Sequence, residues 1–281
     1  MLIASRISAM ADSGSPTPPT PAYWGLYFEA EEAGCVVNVN KYDATNYTAI
    51  ECSPDGATWT DFDCDSATGT TPVTLANIGD RVYFRHKGST VGNPFASASM
   101  KYRYFTLSKK AKAGGNIMSL VKGDEQTTTI PNELFFYALF DSCANLTTPP
   151  ELPATTLTAN CYNSMFWGCT ALTKAPELPA TTLAWACYGG MFYGCTALTE
   201  APDLPATTLA GRCYQQLFTN CTSLASIKVP FTSWPATTYT DNWVYNVAST
   251  GTFVCPTALG TDATIARGVH RCPSGWTVVN T

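Results

Sequence analysis

The chain has 281 residues, of which 45% are apolar and only 13% charged, about half the usual ~25%. Its net charge of −5 argues against a nucleic-acid surface, which runs on clustered Lys and Arg. The wet surface must instead rest on Thr, Ser and Asn, a composition suited to extracellular or virion β-structure.

In chain order, residues 1–21 read as a terminal peptide and a linker. Leu2, Ile3, Ile7 and Met10 lie on a stretch too short to fold alone, either a disordered terminus or a peptide that docks into another protein. Positions 12–21, DSGSPTPPTP, make a semi-rigid, extended linker. The start carries one early positive charge and no sustained apolar run, so no secretory signal is expected. No stretch approaches the ~18 apolar residues of a membrane span.

Residues 22–113 read as short strands with turns. Val37, Val39, Ile50, Trp59, Val73, Leu75, Val82 and Phe84 alternate with polar residues, and Ser53–Gly56 and Ile78–Asp80 punctuate them. About seven strands suggest an Ig-like β-sandwich. Lys101, Arg103, Lys109, Lys110 and Lys112 read as a solvated strand edge and linker. Asp61, Asp63 and Asp65 resemble the start of a calcium loop, but Ser66 stands where that loop needs Gly and no Glu closes it. Period-two spacing instead puts the carboxylates on the wet face, with Phe62 and Cys64 inward. His86 and His270 sit in no metal or nucleophile motif, and no phosphate loop or nucleophile elbow is present. No metal, cofactor or catalytic residue is therefore expected.

Residues 112–116, KAGGN, lead into residues 114–224, where a repeat dominates. LPATTL begins at Leu152, Leu178 and Leu204, a period of 26. Cys161, Cys187 and Cys213 form one column; Cys143, Cys169, Cys195 and Cys221 form another. Phe140, Phe166, Phe192 and Phe218 make a third; Leu139, Met165, Met191 and Leu217 a fourth. Leu120, Leu146, Leu172, Leu198 and Leu224 make the longest. Extended upstream, the period puts Ile117 in the cysteine column and makes NIMSLV a capping coil. A coil that cannot bury its own apolar side must stack on its neighbours. Cys161, Met165 and Cys169 recur at four-residue steps and predict a short helix over 161–169; the Leu-Thr-x-Ala-Pro piece after it is extended. Helix, strand and turn in such a unit fit the ~20–29 residues of a leucine-rich repeat. The fold expected is therefore mainly β with short helices: a sandwich, a solenoid, and a β-rich C-terminal cap over 225–281. The column cysteines read as free thiols acting as small buried hydrophobes, and Cys255 and Cys272 in the cap as candidates for a disulfide.

Met165-Phe166, Cys169, Leu172 and Ala175, with their copies one and two periods later, resemble the BspA-like leucine-rich repeats of gut bacteria, whose unit runs A-F-x-x-C-x-x-L-x-x-I-x-I-P. AEEAGCVVNV, SPDGATWTDF and LANIGDRVYF look like the sandwich that precedes such repeats in Bacteroides-infecting phages, crAss-like ones included. The resemblance runs from about Trp24 to the C-terminus, and the 26-residue unit departs from it by its length. It implies an adhesive or fibre protein more loosely than it implies a fold.

On the expected helix, positions 160, 163, 164 and 167 face away from the core columns. Successive coils show Asn160, Asn163, Ser164 and Trp167; Ala186, Gly189, Gly190 and Tyr193; Arg212, Gln215, Gln216 and Thr219, with Thr158 and Trp185 flanking. Inward columns stay nearly constant while this stripe changes in every coil. The simpler reading of that pattern is drift at unconstrained positions; against it, Trp167, Trp185 and Tyr193 are costly to expose and mark a recognition patch. The expectation is a non-enzymatic virion protein, a head or tail fibre or decoration, anchored in a capsid or tail protein through residues 1–21. Its repeats would meet a host-surface glycan or protein, as a possible homotrimer, with neither nucleic acid nor membrane as partner. The rival is a bacterial surface adhesin, which needs an export signal; a glycan hydrolase would need a carboxylate pair in a cleft.

Overall fold

The computed structural model describes residues 25–42, 50–62, 72–88, 95, 102–122 and 127–281. The expected anchor (Leu2, Ile3, Ile7 and Met10), the linker over 12–21, and Asp63, Cys64, Asp65 and Lys101 lie outside the described residues. The described chain is mainly β with almost no helix.

Alternating apolar and polar residues draw the first half into antiparallel strands. These are β1 (Tyr27–Ala30), β2 (Cys35–Tyr42), β3 (Ile50–Ser53), β4 (Thr60–Asp61), β5 (Val73–Leu75), β6 (Arg81–His86), β7 (Tyr102–Leu107) and β8 (Ala111–Gly114). They form two sheets, ordered β4-β3-β6-β1-β8 and β5-β2-β7. The sheets meet where Phe105 packs on Phe28 and Phe84, with ring centroids 5.0 and 5.1 Å apart. Phe62 is buried and Asp61 exposed, as the period-two reading expects. The outer face of the larger sheet is stitched by charge: Glu29 sits between Arg81 and Lys112, at 2.5 and 2.7 Å. Arg85 pairs with Glu51 at 2.9 Å and lies over the Trp59 ring at 4.0 Å. The basic group is not a uniformly solvated edge. Arg103 is buried at 4% exposure, on the same alternating inward face of its strand as Phe105 and Leu107.

The strands continue into the repeats without a spacer. The Phe105 N–H donates to the Leu139 carbonyl at 2.8 Å, and the Ala111 and Ala113 N–H groups donate to the carbonyls of Asn145 and Thr148. Phe105 stacks on Phe140 at 5.8 Å. Residues 105–113 are thus the layer beneath the first coil, which corrects the expected place of NIMSLV. Ile117 hydrogen-bonds beside Glu151, not beside Cys143. The helix that follows, α1 (Ser119–Lys122), turns back under the sheet: Ser119 Oγ accepts from the Leu26 N–H and donates to the Phe84 carbonyl.

The expected helix over 161–169 is absent. Its backbone is a run of overlapping tight turns with two kinds of hydrogen bond. Odd-numbered N–H groups close turns onto carbonyls three residues back: Asn163 to Asn160, Met165 to Tyr162, Trp167 to Ser164, Cys169 to Phe166. Even-numbered N–H groups point along the stack: Tyr162 to Cys187, Ser164 to Gly189, Phe166 to Met191, Gly168 to Tyr193. No N–H from 160 to 169 is left over, so the buried backbone is satisfied without a helix. Each second turn needs a left-handed residue, and these recur every four positions: Asn160 (φ 54), Ser164 (φ 56) and Gly168 (φ 70) in one coil, Ala186, Gly190 and Gly194 in the next. Gly, Asn and Ser are poor helix formers and, Gly above all, tolerate this conformation. A four-residue step is common to helix and ribbon, so the spacing 161-165-169 does not separate them.

Side chains follow the ribbon in pairs, two in and two out. Inward, Phe140, Phe166, Phe192 and Phe218 stack at 5.3 to 5.8 Å and within 8° of parallel. A second ladder, Phe136, Tyr162, Tyr188 and Tyr214, runs beside it at 5.6 to 6.4 Å. Fully burying such a ring contributes about 1.5–3 kcal/mol. The thiols of Cys169, Cys195 and Cys221 each donate to a Phe carbonyl one coil back, at 3.1, 3.1 and 2.9 Å. All eleven described cysteines, Cys255 and Cys272 included, are free and buried.

The stacking step continues past Leu224. Strands β9 (Ser226–Lys228), β10 (Thr252–Cys255) and β11 (Thr277–Asn280) form a parallel sheet with Ser226, Thr252 and Thr277 in register. Above the ribbon of residues 212–221 lies a further one: the Gln216, Phe218 and Asn220 N–H groups donate to the carbonyls of Asp241, Trp243 and Tyr245. Buried apolar residues from Leu26 to Val278 form one continuous core.

Candidate binding surface

The outward pairs of the turn ribbons make one face of the stack. At its start, Asn163 Nδ2 donates to Asn160 Oδ1 and to the Ala186 carbonyl, both at 3.4 Å, and Ser164 Oγ donates to Asn163 Oδ1 at 2.9 Å. Trp167 and Tyr193 lie flat on one another, centroids 3.7 Å apart and 2° from parallel. The coil above has small residues because these side chains lean over it. A Cβ on Gly189 would sit 2.7 Å from Asn163 Nδ2, and one on Gly190 3.2 Å from the Trp167 ring. Ala186, Gly189 and Gly190 are therefore buried, and so is Thr219. Thr158 is tied down by its hydroxyl, which donates to the Asn132 carbonyl at 2.7 Å.

Further along, Trp185 is half exposed and the Arg212 guanidinium lies 5.4 Å from its ring centroid. Gln215 Nε2 donates to Asp241 Oδ2 at 3.3 Å. Gln216 faces outward beside it, in a left-handed backbone position (φ 56). The structure thus brings Asn160, Asn163, Ser164, Trp167, Trp185, Tyr193, Arg212, Gln215 and Gln216 onto one side, in a line broken by the covered glycines.

Three parts of this face escape the sequence reading. Tyr245 is 52% exposed, in the column of Trp167 and Tyr193, two coils beyond Tyr193. Asn242 and Asn246 flank it in left-handed positions. At the opposite end, Tyr102 donates its hydroxyl to Asp141 Oδ2 at 3.0 Å and meets the Tyr137 ring edge-on at 5.3 Å. Burial, and then the Asp141 charge, push the Tyr102 hydroxyl well above its ordinary range. One signal for the later coil was present: the phrase Pro205–Thr208 recurs at Pro235–Thr238, four residues late for the 26-residue step.

Elsewhere, a groove of about 330 Å³ runs past Leu204, Pro205, Val229, Pro230 and Pro256; its polar groups are the Asp203–Lys228 pair, 3.5 Å apart, and Thr281. Among the described residues no cluster of His, Cys, Asp and Glu could hold a metal ion, and no helix is long and apolar enough to cross a membrane.

No protein-family model matches the chain, and neither a curated protein nor a solved structure does.

Proposed function

We propose that this chain is a non-catalytic phage virion protein, a head or tail fibre or decoration, held in the particle by residues 1–21. In this reading the two antiparallel sheets are an Ig-like sandwich, and the stacked turns are a leucine-rich-repeat solenoid of the BspA-like kind that meets a glycan or protein on the host surface. The observation that carries it is the contrast between the two sides of the ribbon. Inward, the same ring and thiol recur coil after coil; outward, Asn163, Gly189 and Gln215 occupy one column and Trp167, Tyr193 and Thr219 another. A rigid interior with a varied exterior suits recognition better than chemistry.

The thiols favour this over a bacterial surface adhesin. The eleven described cysteines, all free and buried, suit folding in a reducing cytoplasm, where a phage particle is assembled, better than export into an oxidising compartment. Deleting residues 1–21 in the phage that carries the protein tests the anchor. The truncated chain should melt as the full one does, yet be missing from purified particles. Normal incorporation would overturn the anchoring.

A further inference from the structure

Of the large apolar side chains exposed among the described residues, Trp185 and Tyr245, at 49% and 52%, lie on the outward side of the ribbons. They stand on either side of the coil containing Arg212 and Gln216. The Ala186 N–H, next to Trp185, donates to the carbonyl of Gly211; the Asn220 N–H donates to that of Tyr245. With coils about 4.8 Å apart, the two rings lie two coils apart along the stack, and Tyr245 stands in the column of Tyr193, eight positions along the ribbon from Trp185. The Trp167–Tyr193 pair offers less, because each ring covers a face of the other at 3.7 Å.

Between the two exposed rings the floor is made of amides. Gln216 and Asn242 make no side-chain hydrogen bond among the described residues, so each offers both a donor and an acceptor. Charge is sparse. Arg212 is spread over the Trp185 ring, and Asp241 is engaged by Gln215 and faces His270 at 3.3 Å. No run of like charge is available to grip an acidic polymer or a charged peptide.

We propose that this face binds an uncharged polysaccharide, held between Trp185 and Tyr245 over the amides of Gln216 and Asn242. The chemistry matches on each count. Sugar hydroxyls donate and accept, as side-chain amides do; the C–H face of a sugar ring stacks on an aromatic ring; and a neutral chain leaves no charge to compensate. The span calls for an oligosaccharide stretch, not a single sugar. The assignment rests on the receptor-binding reading above and narrows its ligand.

The test is retention of the full chain on a printed array of neutral and acidic bacterial surface glycans, at low and high salt. Neutral glycans should hold it equally well at both, since screening weakens only charge contacts. Trp185→Ala and Tyr245→Ala should each weaken retention about tenfold, with Trp185→Phe recovering part of it and melting unchanged, because both rings are exposed. Retention by acidic glycans alone, lost in high salt, or by no glycan, would overturn the proposal. In the last case periodate-treated host envelopes separate the two ideas. Envelopes that still hold the protein leave a protein receptor and sink only the glycan. Envelopes that hold it neither before nor after treatment sink receptor binding as well.

Discussion

Ser142, Gly168, Gly194, Asn220 and Asn246 occupy one left-handed column, with φ between 57 and 72°. An L side chain there costs about 1–2 kcal/mol of backbone energy, and only Gly escapes it. Gly194 has room for a methyl group, its nearest neighbour being Gly168 Cα at 3.7 Å, so Gly194→Ala isolates the backbone effect. It should destabilise by about 1 kcal/mol in a denaturant titration, whereas Asn220→Gly trades relief of its backbone for the hydrogen bond that Asn246 Nδ2 donates to Asn220 Oδ1 at 3.0 Å and should cost less. The tyrosine ladder gives an opposite expectation. The hydroxyls of Tyr162 and Tyr188 are buried without a hydrogen-bond partner, and a buried unmet hydroxyl costs about 1–3 kcal/mol. Tyr162→Phe and Tyr188→Phe, which extend the Phe136 arrangement, should leave stability unchanged or raise it; a clear loss would reveal a partner such as a buried water. Neither feature is legible at single residues. Ser and Asn suit a left-handed turn or a helix cap equally well, and an inward Tyr looks like an outward one until its neighbours are known.

The turn ribbon is where sequence and structure part. Cys143, Phe140 and their copies announce the stacking step, because a shared core forces the same residue into the same place in each coil. They do not announce the backbone. Ten residues at a four-residue step fit a helix and a ribbon alike, and only the left-handed positions, with Gly189-Gly190 in sequence, lean towards turns. Ile117 falls outside the ladder for a related reason: the layer beneath the first coil comes from the sheet strand at 105–107, so the 26-residue count does not reach it. Tyr245 is not legible in the repeat because the phrase that precedes it slips by four residues. The cysteine columns carry a prediction at this scale. Burial lifts the thiols of Cys143, Cys161, Cys213 and Cys221 from about 9 up to about 12. The folded state therefore holds these protons more tightly than the unfolded chain. That stability is fully present below pH 9 and drains away as the pH rises towards 12. Alkylation followed by mass spectrometry should find these thiols silent in the native protein at mildly alkaline pH and fully labelled, with no disulfides, once it is denatured. Rapid native labelling would contradict the packed columns.

Across the whole molecule, the outward face is where substitution and stability come apart. Inward residues belong to one core from Leu26 to Val278, so change there is felt as unfolding; outward residues are replaced coil by coil with the core intact. One triple substitution uses this directly: Arg212→Ala, Gln215→Gly and Gln216→Gly writes the outward residues Ala186, Gly189 and Gly190 onto the next coil and leaves every inward side chain alone. Arg212 is exposed and Gln215 and Gln216 are half-buried; Gln216→Gly relieves a left-handed glutamine (φ 56), which offsets the lost Gln215–Asp241 hydrogen bond and keeps the net shift to about 0.5 kcal/mol. The decisive measurement is a binding titration of this variant against cells that hold the parent protein. Melting should be unchanged and affinity weaker by more than about tenfold, about 1.4 kcal/mol. A stably folded variant that binds as the parent does would contradict this and take the site off the repeats.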